Sequence, residues 1–136
     1  MNIAILEDNP SNLEYMQTFL QFEGHRVFAF GDAVSFLDTI WATYRQDAVV
    51  AYDLAIIDLM LPGRLTGLDV LHSLRAADSP LAHFPLIVIS GASQHILDEV
   101  QTHFPSVPIL RKPFRMQELI SLLAAIGSKQ DTGSSM

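Results

Sequence analysis

The chain has 136 residues, 15 carboxylates against 8 lysines and arginines, a formal charge of −7, no cysteine and 49% hydrophobic residues. That length fits one domain whose core needs no disulfide or structural metal, and the lack of cysteine excludes a disulfide framework, thiol catalysis and Cys-ligated zinc. Without a Lys and Arg patch the acidic chain is no phosphate-tracking nucleic-acid binder, and no run approaches the ~18–20 apolar residues of a membrane span. The N-terminus carries no signal-peptide pattern, so a cytoplasmic location is expected.

In chain order, short apolar runs alternate with amphipathic stretches. Ile3 to Leu6 reads as a strand; Asn9 is then a good helix N-cap and Pro10 suits the first helical position. Leu13, Met16, Phe19 and Leu20 form that helix's apolar stripe, and Gly24 is placed to end it. Arg26 to Phe30 is a second strand, and Asp32 caps a helix carrying Phe36, Leu37, Ile40, Trp41 and Tyr44. Asp47 to Tyr52 fits either a helix extension or a loop. Leu54 to Leu59, interrupted by Asp58, is the third strand; Leu61, Pro62 and Gly63 form a turn before a helix with Leu68, Leu71 and Leu74. Leu86 to Ile89 is the fourth strand, ending at Ser90 and Gly91. A helix with Ile96, Leu97 and Val100, a strand at Val107 to Leu110, and a last helix with Met116, Leu119, Ile120, Leu123 and Ile126 complete the domain at residue 126. Residues 127 to 136 read as a polar flexible tail or the start of a linker. Strict alternation of strands and helices calls for a parallel α/β sheet with helices on both faces, and the continuous Val, Ile and Leu runs suit strands covered on both sides.

In such sheets ligands bind beyond the carboxyl ends of the strands. Glu7 and Asp8 follow the first strand, Asp58 the third, Ser90 the fourth and Lys112 the fifth. Lys112 is one of only two lysines in the chain. Carboxylates ~4 Å apart repel by roughly 4 kcal/mol at an effective dielectric near 20, which a hard cation offsets. Mg²⁺ takes one or two carboxylates, keeps waters and recruits phosphate oxygens, and a carboxylate beside it can attack phosphorus. Lys112 and the Ser90 hydroxyl are then placed to meet phosphoryl oxygens. The chemistry read from the residues is phosphoryl transfer to Asp58.

Glu7-Asp8, Asp58-Leu-Met-Leu-Pro62-Gly63, Ser90-Gly91-Ala92 and Lys112-Pro113-Phe114, in that order, resemble the receiver domain of two-component response regulators over residues 2 to about 126. The resemblance implies a flavodoxin-like (βα)5 fold of strand order 2-1-3-4-5 and phosphoryl transfer from the phosphohistidine of a histidine kinase or phosphotransfer protein. It makes Asp58 the phosphoacceptor and a metal ligand, Asp8 the direct Mg²⁺ ligand, Glu7 a ligand through water, Met60 a ligand by its backbone carbonyl, Ser90 the switch hydroxyl and Lys112 the phosphate partner. It also suggests a cis Lys112–Pro113 bond. Output passes through protein contacts, with neither nucleic acid nor membrane bound directly.

The chain departs from the family pattern at Ile109, where receivers commonly carry Tyr or Phe, and in an extra residue within Gly63 to Gly67. Arg111 and Arg115 read either as solvated charge or as contacts of a homodimer through the fourth helix, fifth strand and fifth helix. The polar tail favours a receiver tethered to a larger regulator or hybrid kinase over a stand-alone one. Of the rival functions, a haloacid-dehalogenase-type phosphatase lacks its second Asp at position 60. An FMN carrier would have Glu7 and Asp8 repelling its phosphate, and a P-loop NTPase lacks its motif. The remaining rival is a receiver-like interaction module that signals without phosphorylation.

Overall fold

The computed structural model describes residues 1–59, 66–76 and 78–134, with residues 128–134 described by backbone alone. Its elements run β1 (Asn2–Leu6), α1 (Pro10–Phe22), β2 (Arg26–Phe30), α2 (Ala33–Arg45), β3 (Leu54–Asp58), α3 (Gly67–Arg75), β4 (Leu86–Ser90), α4 (Gln94–His103), β5 (Ile109–Arg111) and α5 (Met116–Ser134). Every strand pairs in parallel, in the order β2-β1-β3-β4-β5. The expected fold class and strand order are both found.

The strand period of two divides the core. Ala4, Leu6, Ala55, Ile57 and Val88 face Phe36 and Ile40 of α2, Val70, Leu71 and Leu74 of α3, and Leu97 and Val100 of α4. Ile3, Ile5, Leu54, Ile56, Ile87, Ile89 and Leu110 face Met16 and Leu20 of α1 and Met116, Leu119 and Leu123 of α5. β3 and β4 are buried throughout, whereas β2, at an edge, is half exposed. Full burial of each such aliphatic side chain is worth about 1.5–3 kcal/mol, so the central strands are the most firmly held part of the sheet.

Local chemistry fixes the helix ends. Asn9 caps α1 by accepting from Asn12 N–H, with Pro10 in its first turn, and Asp32 caps α2 by accepting from Ser35 N–H. α1 ends with Gly24 at φ +93°, the His25 amide reaching Leu20 O and the Gly24 amide reaching Gln21 O, a Schellman closure that a left-handed residue permits. Thr66 and Asp69 form a reciprocal capping box at α3. Hydrogen bonds from Thr66, first from its amide and then from its hydroxyl, hold the Asp69 carboxyl below its usual range. That contribution to stability is present above the unfolded carboxylate pKa and lost as pH falls through the folded one.

Three segments differ from the sequence reading or resolve it. Asp47 to Tyr52 is loop, because Gln46 closes α2 in a left-handed conformation (φ 62°). β5 covers Ile109 to Arg111 instead of Val107 to Leu110, since the Val107 amide turns back to Phe104 O and Pro108 has no amide to pair. α5 runs to Ser134, so the backbone of most of the segment read as a flexible tail is helical; no proline interrupts it. The turn at Leu61, Pro62 and Gly63 lies outside the described residues. Among those described, no helix is long and apolar enough to cross a membrane.

Candidate functional site

Parallel register sets the site. Leu6 lies opposite Ile57 across β1 and β3, and Asp58 opposite Ile89 across β3 and β4. The residues just beyond β1 therefore meet the last residue of β3 at one edge of the sheet. Ser90 lies opposite Arg111, and the next amide, Lys112 N–H, donates to Ser90 O at 2.8 Å. The Lys112–Pro113 bond is cis, as the resemblance implied.

The lysine ammonium stands between two acids from different strands. Lys112 Nζ donates to Glu7 Oε2 and to Asp58 Oδ2, each at 3.0 Å. Glu7 and Asp58 are 1% and 3% exposed, a degree of burial that carboxylates tolerate only when paired. The other Glu7 oxygen accepts from Asn9 N–H at 3.1 Å, so the residue that caps α1 also orients the acid. Asp8 is exposed, and one oxygen from each of Glu7, Asp8 and Asp58 lies within 4.8 Å of the others.

Burial is the largest influence on Glu7 and, with the negative Asp58 nearby, holds its carboxyl above the usual range although Lys112 and the Asn9 amide pull it down. Burial also disfavours the charged form of Lys112, but hydrogen bonds and attraction to Asp58 and Glu7 outweigh it and raise its pKa. The lysine is thus a firmly held cation that balances only one of three gathered acids. An all-oxygen set with surplus negative charge, open on the Asp8 side, suits a hard divalent cation that retains water.

Ser90 is fully buried, and its Oγ accepts from Ala92 N–H at 3.0 Å, which folds the start of the β4–α4 loop over the strand end. The site opens into a cleft of about 340 Å³ whose walls include Glu7, Asp8, Asp58 and Lys112 together with Asn12, Gly91 and Ala92. Of the residues singled out from sequence, Glu7, Asp8, Asp58 and Lys112 are brought together, Ser90 lies behind the cleft wall, and Met60 falls outside the described residues. Asn12 was missed; its place one turn into a capped helix following two acids was the available signal.

Gly67, also missed, seats the first turn of α3 against the end of β3. A Cβ there would overlap the Asp58 carbonyl oxygen and stand 2.7 Å from Leu59 Cα. The pattern Thr66-x-x-Asp69, a capping box in outline, was the sequence signal for that helix start. Ile109 packs against the core under α2, α3 and α4, occupying with an aliphatic side chain the place where the family commonly has an aromatic one.

Residues 3–124 match the response regulator receiver domain family. The chain belongs to that family. This receiver domain is 28% identical over 127 residues to the cell cycle transcriptional regulator CtrA of Caulobacter vibrioides, covering 93% of this chain and 50% of the relative. It spans about half the length of the curated relatives it matches. Its fold is shared with full-length FixJ from B. japonicum (TM-score 0.76, 22% identity, 98% of this chain and 61% of that one). The response regulator TrrA from Thermotoga maritima also shares it (TM-score 0.70, 22% identity, 92% of this chain and 97% of that one). Receiver domains work in two-component signalling, where they interact with histidine kinases or phosphotransfer proteins, and they bind Mg²⁺ at an acidic pocket.

Proposed function

We propose that Asp58 is the phosphoacceptor of this receiver domain and that it takes a phosphoryl group from the phosphohistidine of a histidine kinase or phosphotransfer protein. The observation that carries this reading is the Lys112 ammonium bridging Glu7 and Asp58 beside a third acid at the carboxyl edge of the sheet. An Asp58 oxygen forms the new bond to phosphorus as the bond from phosphorus to the donor imidazole breaks. The electron pair of that bond stays with the imidazole nitrogen, which takes up a proton. Lys112, with three N–H donors, can leave a carboxylate oxygen for a phosphoryl oxygen. Ser90 Oγ accepts from Ala92 N–H and keeps its own O–H to donate to a phosphoryl oxygen, so a shift of the hydroxyl toward that oxygen would carry the β4–α4 loop with it. α4 then repacks around Ile109, a smaller residue than the family's aromatic.

Asp8 and Asp58 would hold Mg²⁺ directly, Glu7 through water, and Met60 by its backbone carbonyl. When bound, the ion neutralises charge on the phosphoryl oxygens and on the acids themselves. TrrA was solved in complex with Mg²⁺ and BeF, which agrees with such a site in a protein of this fold. Any homodimer through α4, β5 and α5 would meet Arg111 already engaged, since its NH1 donates to Gln94 Oε1 at 3.0 Å.

The decisive experiment is mass spectrometry after incubation with a small phosphodonor, with and without Mg²⁺, on wild type and Asp58→Ala. Wild type is expected to gain one phosphoryl group in a metal-dependent way and the variant none. No gain by wild type would favour an interaction module that signals without phosphorylation; equal gain by the variant would reject Asp58 as acceptor.

The lifetime of the acyl phosphate depends on an attacking water. Ala92 lines the cleft and, like Met60, has no group that can orient one. The double variant Met60→Asn, Ala92→Glu is therefore expected to lose its phosphoryl group roughly tenfold faster than wild type. Decay of the phosphorylated mass with time measures this, and a slower variant contradicts it.

A further inference from the structure

α4 carries a second set of metal-capable side chains, away from the acid cleft. His95 and Glu99 stand one turn apart with His95 Nε2 3.3 Å from Glu99 Oε1, and both are open to solvent, at 85% and 64% exposure. Asp98 occupies the adjoining position of the same helix face, its carboxylate held by Gln94 Nε2 at 2.8 Å. Together with Thr102 and His103 they line a hollow of about 470 Å³. α4 contains no lysine or arginine, and Arg111, which reaches the helix from β5, donates to Gln94. The two carboxylates thus have no ammonium or guanidinium from their own helix to neutralise them.

An imidazole and a carboxylate four residues apart on a helix present one nitrogen and one oxygen to the same point, at the spacing that two histidines of a helix use when they bind zinc with a further ligand. Imidazole favours Zn²⁺, Ni²⁺ or Cu²⁺ over Mg²⁺, which prefers oxygen alone. We infer that His95 and Glu99, with Asp98 alongside, form a surface site for a divalent transition-metal ion of the zinc class. It is a two-residue clamp completed by water: among the described residues, histidine and acid ligand atoms gather in threes within 4.8 Å only at Glu7, Asp8 and Asp58, so Asp98 stands beside the pair as a nearby charge and not as a third ligand. An ion held there ties the first turn of α4 to the second and stabilises the helix itself.

The test is calorimetric titration of Zn²⁺ into the protein in excess Mg²⁺, with NMR of the histidine side chains. Wild type is expected to bind one ion with the His95 resonances shifting. His95→Gln and Glu99→Gln should each bind it roughly tenfold more weakly, and His103→Gln as well as wild type does. Both altered side chains are exposed, and unchanged far-ultraviolet circular dichroism verifies that the variants fold. Absence of Zn²⁺ binding by wild type, or wild-type affinity in both His95→Gln and Glu99→Gln, overturns the site.

Discussion

Lys112→Ala should lower stability by roughly 3 kcal/mol at neutral pH, because it leaves Glu7 and Asp58 buried against each other without their common cation. The pH dependence follows from the acid whose carboxyl is already held high by burial. A folded-state pKa above the unfolded value means that the native state binds the proton more tightly, so stability falls as pH rises through the folded pKa. Loss of the lysine removes a bond that now pulls Glu7 down, so the variant should recover more stability on acidification from neutral pH than wild type does. The wild-type lysine works in the same sense at the alkaline end: its raised pKa supplies stability that is complete below the unfolded lysine pKa and lost as pH rises through the folded one. Millimolar Mg²⁺ should restore part of the variant's stability at neutral pH and raise that of wild type, with a smaller gain in Asp58→Ala. Urea denaturation at several pH values, with and without Mg²⁺, measures all of this. A variant as stable as wild type at neutral pH would show that the acids do not depend on Lys112.

Gly67→Ala is expected to be nearly as damaging, through the backbone. The added methyl would fall on the Asp58 carbonyl and press on Leu59, and neither can rotate away as a flexible side chain could. β3 is clamped there on both sides, by Ile57 against Leu6 and by the Leu59 amide donating to Ile89 O. Either α3 lifts from the strand end or Asp58 shifts, at a cost of about 3 kcal/mol, the upper part of the range for overpacking. Thr66→Ala, which removes the cap and leaves the close approach intact, should cost about 1 kcal/mol. The two separate cleanly in thermal melts paired with phosphorylation rates: Gly67→Ala slows uptake at Asp58, and Thr66→Ala does not. Equal rates in wild type and Gly67→Ala would mean that the seat of α3 does not position Asp58.

The fold was legible because its signals are local and agree with one another. Asn9 with Pro10, Asp32 and Gly24 act at the ends where their chemistry places them, and the Ile and Leu runs of β1, β3 and β4 become strands buried on both faces. The acids and lysine of the cleft were legible because each follows a strand directly, and parallel strands bring such positions to one edge. What was not legible depends on closeness between distant backbones. The need for glycine at 67 arises from the backbone of Asp58 and Leu59, at the end of a strand eight and nine residues earlier, and nothing around 67 announces it. The start of β5 turned on whether Val107 pairs with β4 or folds back to Phe104, and apolar character suits both, since Val107 is buried either way. Arg111 could be read as solvated charge or as a contact between copies; its bond to Gln94, seventeen positions away, required the sheet to place β5 beside α4.

The bond from Lys112 to Glu7 spans 105 residues and that to Asp58 spans 54. During synthesis the three acids leave the ribosome well before the one cation that answers two of them. A chain that has reached β4 can pair β1, β3 and β4 and gather Glu7, Asp8 and Asp58, yet it still lacks β5 and therefore the counter-charge. Completion of the sheet and arrival of the lysine at the cleft are one event, so a nascent receiver cannot present a finished site before its fifth strand has docked.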